Sequence, residues 1–150
     1  MSDKKSLAKA RGKARRFAMQ AIYQWQMTND DVKGIERQYV EDNADSEADF
    51  DYFKELFFGV EENIKKIDKV LVQYTGRAIA SVDPVERAIL RLACYEFMKR
   101  LDVPYRVVLN EAVMLTKKFC AEQSHTFVNA VLDKVAHEVR TVEIKSASDS

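Results

Sequence analysis

Glycine and proline are scarce in this chain, with four glycines (Gly12, Gly34, Gly59, Gly76) and two prolines (Pro84, Pro104) in 150 residues. So few breakers exclude the many turns of a β-sandwich or barrel. Metal-binding and nucleophilic residues are equally sparse. The two cysteines, Cys94 and Cys120, have no CxxC spacing, and the two histidines, His125 and His137, match neither HExxH nor a zinc pattern. Both cysteines fall in apolar helical patterns and read as buried, reduced thiols. There is no GxGxxG and no P-loop to cradle a nucleotide phosphate. A nucleophile with a positioned base is not evident either: His125 and Asn129 share a helix face, but as a surface polar pair. Asn110–Ala112, "NEA", reads as a polar pair between helices. The expectation is therefore no cofactor, no metal and no enzyme activity. No stretch of about eighteen apolar residues occurs, and "MSDKKSLAKARGKARR" lacks the apolar run of a secretory signal. A cytoplasmic protein that does not enter the membrane is expected.

What the chain does have is apolar content, 47%, and an even charge count of 24 basic and 24 acidic residues. That composition is globular rather than disordered. A chain of this length buries roughly 70% of its unfolded surface, enough for one substantial core. The zero net charge conceals an asymmetry. Residues 1–16 carry seven basic residues against Asp3 alone, whereas residues 30–51 carry nine acidic residues against Lys33 and Arg37. A basic segment of this kind calls for an anionic partner. Residues 1–8 are expected to be a solvated, flexible basic arm.

Apolar periodicity predicts helices over about 9–28, 32–41, 49–74, 84–100, 107–119 and 125–140. In the first, Ala14, Phe17, Ala18, Ala21, Ile22 and Trp25 form one stripe. Gly59 in the third marks a close helix crossing or a bend. The fourth begins at a readable signal: Asp83 can cap, Pro84 suits the first helical position, and Glu86 completes a D-x-x-E box. Pro104 ends that segment, and Ser124 is a candidate cap for the last helix. Residues 142–150 form a polar tail. The fold expected is all-α, one domain over 9–141, with lobes of about 9–76 and 82–141 split near "TGRAIAS".

On a helical wheel, Lys13, Arg16, Gln20, Tyr23 and Gln24 fall opposite the apolar stripe of helix one, with Arg11 and Arg15 nearer its border. Cations for phosphates, amides for base edges and a ring for stacking suit single-stranded RNA. The same face also fits an acidic partner helix, an anionic membrane surface or a solvated helix side.

Four segments together resemble the NusB family: "ARRFAMQAIYQWQ", "DPVERAILRLACYEF", "VPYRVVLNEAVMLTKKF" and "AEQSHTFVNAVLDKV". The resemblance spans about Arg11 to Val139. It implies a compact bundle of about six to seven helices in two helical subdomains. It also implies a transcription antitermination factor that binds boxA RNA of ribosomal-RNA leader transcripts. The implied partners are NusE (small-subunit ribosomal protein S-ten), with which it would form a heterodimer, and RNA polymerase with other Nus factors. By motif match, RNA contacts fall to Arg11, Lys13, Arg15, Arg16, Gln20 and Tyr23. A second cluster comprises Gln123, Thr126, Phe127 and Asn129, and Arg91 adds a phosphate contact. Glu86 and Arg87 are assigned to the NusE side. The chain departs from the family pattern at Gly12-Lys13, where consecutive arginines are common, at Arg16, where Glu is common, and at Gln123, where an acid is common. The rival expectation is a protein-only helical adaptor whose basic helix docks an acidic partner.

Overall fold

The computed structural model describes residues 2–149, with side chains described over 3–146. Among these residues the chain forms α1 (Ser2–Thr28), α2 (Val32–Asp42), α3 (Phe50–Glu62), α4 (Ile64–Thr75), a 3-10 turn (Ile79–Ser81), α5 (Pro84–Lys99), α6 (Tyr105–Phe119), α7 (Ser124–Val139) and α8 (Thr141–Asp149). The architecture is all-α, as expected.

Local signals explain most boundaries. Asp83 accepts hydrogen bonds from the backbone N–H groups of Val85 and Glu86, both at 3.1 Å, and Pro84 opens α5. Asp49 caps α3 in the same way, taking the Tyr52 N–H at 3.0 Å. Gly76, at φ 71°, ends α4 in the left-handed conformation that glycine adopts without strain. Ser124 is not the cap of α7; Gln123 occupies that position without a side-chain cap bond.

Three boundaries differ from the sequence expectation. The single helix over 49–74 is two, because Asn63 leaves helical geometry (φ −110°, ψ 16°) and its side-chain amide donates to the Gly59 carbonyl at 2.8 Å. That local bond competes with helix continuation. Residues 2–8 continue α1 instead of forming a flexible arm, and residues 141–149 form α8 where a disordered polar tail is expected over 142–150. At the second end Glu143 accepts from Arg140 Nη1 at 2.6 Å and from the Tyr105 N–H at 2.9 Å, which ties α8 to the start of α6. Met1 of the arm and Ser150 of the tail lie outside the described residues.

α5 is the hub. It packs against α1, α3, α4, α6 and α7, so helices on both sides of the 76–82 segment share one core. Phe53, Leu56, Phe57, Ile67, Leu71, Ile89, Leu90, Phe97 and Leu132 are fully buried in it. Each such side chain contributes roughly 1.5–3 kcal/mol of hydrophobic stabilisation. Gly59 is a close crossing: a Cβ there would penetrate the ring of Tyr95 on α5. The last turn of α5 is closed from a distance. Arg140, only 3% exposed, donates to the carbonyls of Phe97 (2.7 Å), Arg100 (2.8 Å), Val103 (2.9 Å) and Glu96 (3.1 Å). At Phe97 it thereby satisfies a carbonyl that the helix end leaves without an intrahelical partner.

Candidate nucleic-acid interface

The apolar stripe of α1 fixes what its other side can present. With Ala14, Phe17, Ala18, Met19, Ala21 and Ile22 buried, Lys9, Lys13, Arg16, Gln20 and Tyr23 fall on the outer flank at spacings of three and four. Tyr23 is 38% exposed and Met27 55%. The Arg16 guanidinium lies 5.1 Å from the centroid of the Phe17 ring, which holds it along the helix.

This flank faces α6 and the start of α5 across two adjoining grooves. Ala8, Lys9, Gly12, Lys13 and Arg16 line the first on the α1 side; Glu111, Met114, Leu115 and Lys118 line it on the α6 side. Met19, Gln20, Tyr23, Gln24 and Met27 line the second, closed by Tyr39, Val85 and Phe119. Arg16 and Gln20 are one turn apart, so the two form one track. One end is cationic and the other carries amides and rings.

Not every predicted cation reaches that track. Arg15 turns inward and is 4% exposed. Its Nε and Nη2 grip the Glu96 carboxylate on α5 at 2.9–3.1 Å, and Nη1 lies 3.7 Å from Glu111. Burial alone would lower the Arg15 pKa, but the hydrogen-bonded Glu96 outweighs it and raises it. Tyr52 donates its hydroxyl to the same carboxylate, and burial, with Glu96, pushes its pKa up. Arg11 leans the same way, 4.6 Å over the Tyr52 ring and 3.8 Å from Asp49. Arg15 is therefore a core residue, not a surface cation, because a buried glutamate 81 residues away claims it. Arg91 is likewise engaged, bidentate to Asp68 at 3.0 and 2.8 Å and donating to Gln26 at 2.9 Å. That pairing leaves its side chain 13% exposed.

At the second cluster, Gln123, Thr126 and Asn129 are exposed near the start of α7. Phe127 is half-buried, with the Arg77 guanidinium 4.7 Å from its ring centroid. This cluster is joined to the grooves through the α6–α7 turn, four residues beyond Phe119. Glu86 is half-buried beside Val85. Arg87 is half-buried too and donates to the Ala80 carbonyl at 3.3 Å; burial and the neighbouring Arg91 lower its pKa. Sequence reasoning missed Met114 and Lys118, although Glu111, Met114 and Lys118 share a face at helical spacing. It also missed Arg77, whose aromatic partner lies fifty residues further on.

A family model described as NusB family matches residues 12–137. The chain is 50% identical over 140 residues to the transcription antitermination protein NusB of Saccharophagus degradans, covering 93% of each. It is 52% identical over 125 residues to that of Aeromonas salmonicida, covering 83% of this chain and 91% of the relative. Among solved structures it superposes on a chain of the crystal structure of antitermination factors NusB and NusE in complex with dsRNA. There the TM-score is 0.80 at 26% identity, covering 87% of this chain and 98% of the other. T. maritima NusB gives 0.77 at 29% identity, covering 85% and 91%.

Proposed function

The chain belongs to the NusB family of transcription antitermination proteins, and we propose that it performs this task by holding single-stranded boxA RNA along the outer flank of α1, in a heterodimer with NusE. The observation that carries the reading is a division of labour within one helix. Arg11 and Arg15 are engaged with Tyr52, Asp49 and Glu96, while Lys9, Lys13 and Arg16 stand in a groove that leads to Gln20 and Tyr23. Cations supply affinity for phosphates, and the amide and ring supply sequence preference. Support for the partner comes from the related structure that holds NusB, NusE and RNA together. Glu86 and Arg87, half-buried in the first turn of α5, are the residues proposed for the NusE side. Gln123, Thr126, Phe127 and Asn129 form the second RNA cluster, with Phe127 and Arg77 together offering a base a cation–ring edge. A place on nascent bacterial transcripts implies the cytoplasm. No helix among the described residues is long and apolar enough to cross a membrane.

The test is fluorescence anisotropy of labelled boxA RNA against a scrambled RNA of equal length, with and without NusE. The expected result is tighter binding to boxA, strengthened by NusE. With Lys9, Lys13 and Arg16 as the phosphate contacts on α1, log K should fall against log salt with a slope of about −2. Equal binding of both RNAs, unchanged by NusE, would favour the adaptor reading, in which the basic groove docks an acidic protein segment.

A further inference from the structure

The cationic groove has a second wall that the sequence reading did not assign. Its α1 side carries Lys9, Lys13 and Arg16, and its α6 side carries Lys118, which is exposed, and Met114, which is 63% exposed. Four cations thus converge on one groove against a single carboxylate, Glu111, which is itself 3.7 Å from Arg15. Like charges gathered along a low-dielectric cleft repel one another and raise the local potential, which favours a polyanion laid along it. The groove floor is apolar at Leu115, and about two turns along α1 from Arg16 the track meets Tyr23, with Phe119 in the same lining.

Building on the RNA reading above, we propose that the RNA strand lies between α1 and α6, with Lys118 contacting a phosphate from the α6 side and Met114 packing against a base or sugar. The ligand class is single-stranded RNA, because the groove continues into amides and aromatic rings. An acidic peptide would use the cations but has no need of stacking faces. Lys118 is then an affinity residue of this chain. Its neighbour Lys117, also exposed but outside the groove lining, is not.

That contrast supplies the test. Lys117→Glu and Lys118→Glu change net charge identically and lie side by side on α6, so any effect through the long-range field is nearly the same for both. Each would be measured by anisotropy with labelled boxA RNA and with a labelled poly-glutamate peptide of equal charge, beside Lys13→Glu, with helicity checked by circular dichroism. The expected result is that Lys118→Glu weakens boxA binding at least tenfold, and Lys117→Glu no more than threefold. Lys118→Ala should make the salt slope shallower by about 0.7, one phosphate contact on a single strand. Equal effects of the two charge reversals on RNA, or a Lys118→Glu loss confined to the peptide, would overturn the proposal. If Lys13→Glu weakens RNA binding and Lys118→Glu does not, only the α6 wall fails. If neither matters, the RNA reading of α1 fails with it.

Discussion

Replacing Arg15 by methionine separates a structural arginine from an RNA-contacting one. The substitution keeps most of the side-chain volume but leaves the Glu96 carboxylate, 1% exposed, with the Tyr52 hydroxyl as its one remaining side-chain hydrogen-bond donor among the described residues. Breaking a buried pair from one side typically destabilises by about 3–5 kcal/mol, since the remaining charge is left uncompensated. For 150 residues, an unfolding entropy near 2.1 cal/mol/K per residue gives about 0.3 kcal/mol/K in total, so the midpoint should fall by about 10–15 °C. Urea unfolding followed by circular dichroism would measure the loss. The double variant Arg15→Met/Glu96→Gln, which removes both charges of this pair and keeps an acceptor for Tyr52, should recover most of it. Below the lowered midpoint, boxA binding by the folded Arg15→Met protein should keep the parent salt slope. Lys13→Ala should lose about 0.7 of it. An Arg15→Met protein of parental stability, or one whose salt slope falls as that of Lys13→Ala does, would refute the reasoning.

Gly59→Ala should destabilise by about 1–3 kcal/mol, because the new Cβ meets the Tyr95 ring at the α3–α5 crossing and one element must shift; a urea midpoint equal to the parent would contradict this. Burial pushes the Cys94 thiol up to about 12, with Asp68 and Glu138 adding to it, against an ordinary value of 9.0. Because the folded state holds this proton more tightly, its contribution is complete below pH 9 and is lost as pH rises toward 12, by up to about 1.4 kcal/mol per pH unit. Cys94→Ala should therefore flatten the decline of stability between pH 9 and 11, and an unchanged slope would count against it. Gln123→Asp should weaken boxA binding several-fold by placing a carboxylate at the exposed start of α7; tighter binding would reject that.

The parts of the fold that were readable from sequence rest on short-range chemistry. Asp83-Pro84 announces α5, and the apolar spacing from Ala14 to Trp25 fixes which way α1 faces. The same spacing hid the break at Asn63: Val60, Ile64, Ile67 and Leu71 keep helical phase across it, and only a local amide bond to Gly59 interrupts the helix. The candidate site divides the same way. Lys13, Arg16, Gln20 and Tyr23 lie where a helical wheel puts them. Arg15 and Arg91 do not serve as surface cations, because their partners, Glu96 and Asp68, are brought to them only by tertiary packing. An arginine at the border of an apolar stripe can reach outward to water or inward to a buried acid, and helical periodicity is the same in both cases.

Glu96 is held twice, by Arg15 through its carboxylate and by Arg140 through its carbonyl. Chains are made from the N-terminus, so α1 emerges long before the residue that anchors it. Until α5 exists, Arg15 has no carboxylate to enter and the apolar stripe has no hub to cover it. The second wall of the groove follows later still, and the last turn of α5 is closed only when Arg140 arrives. A nascent or truncated copy that lacks α6 therefore carries the α1 cations without the facing wall of the groove.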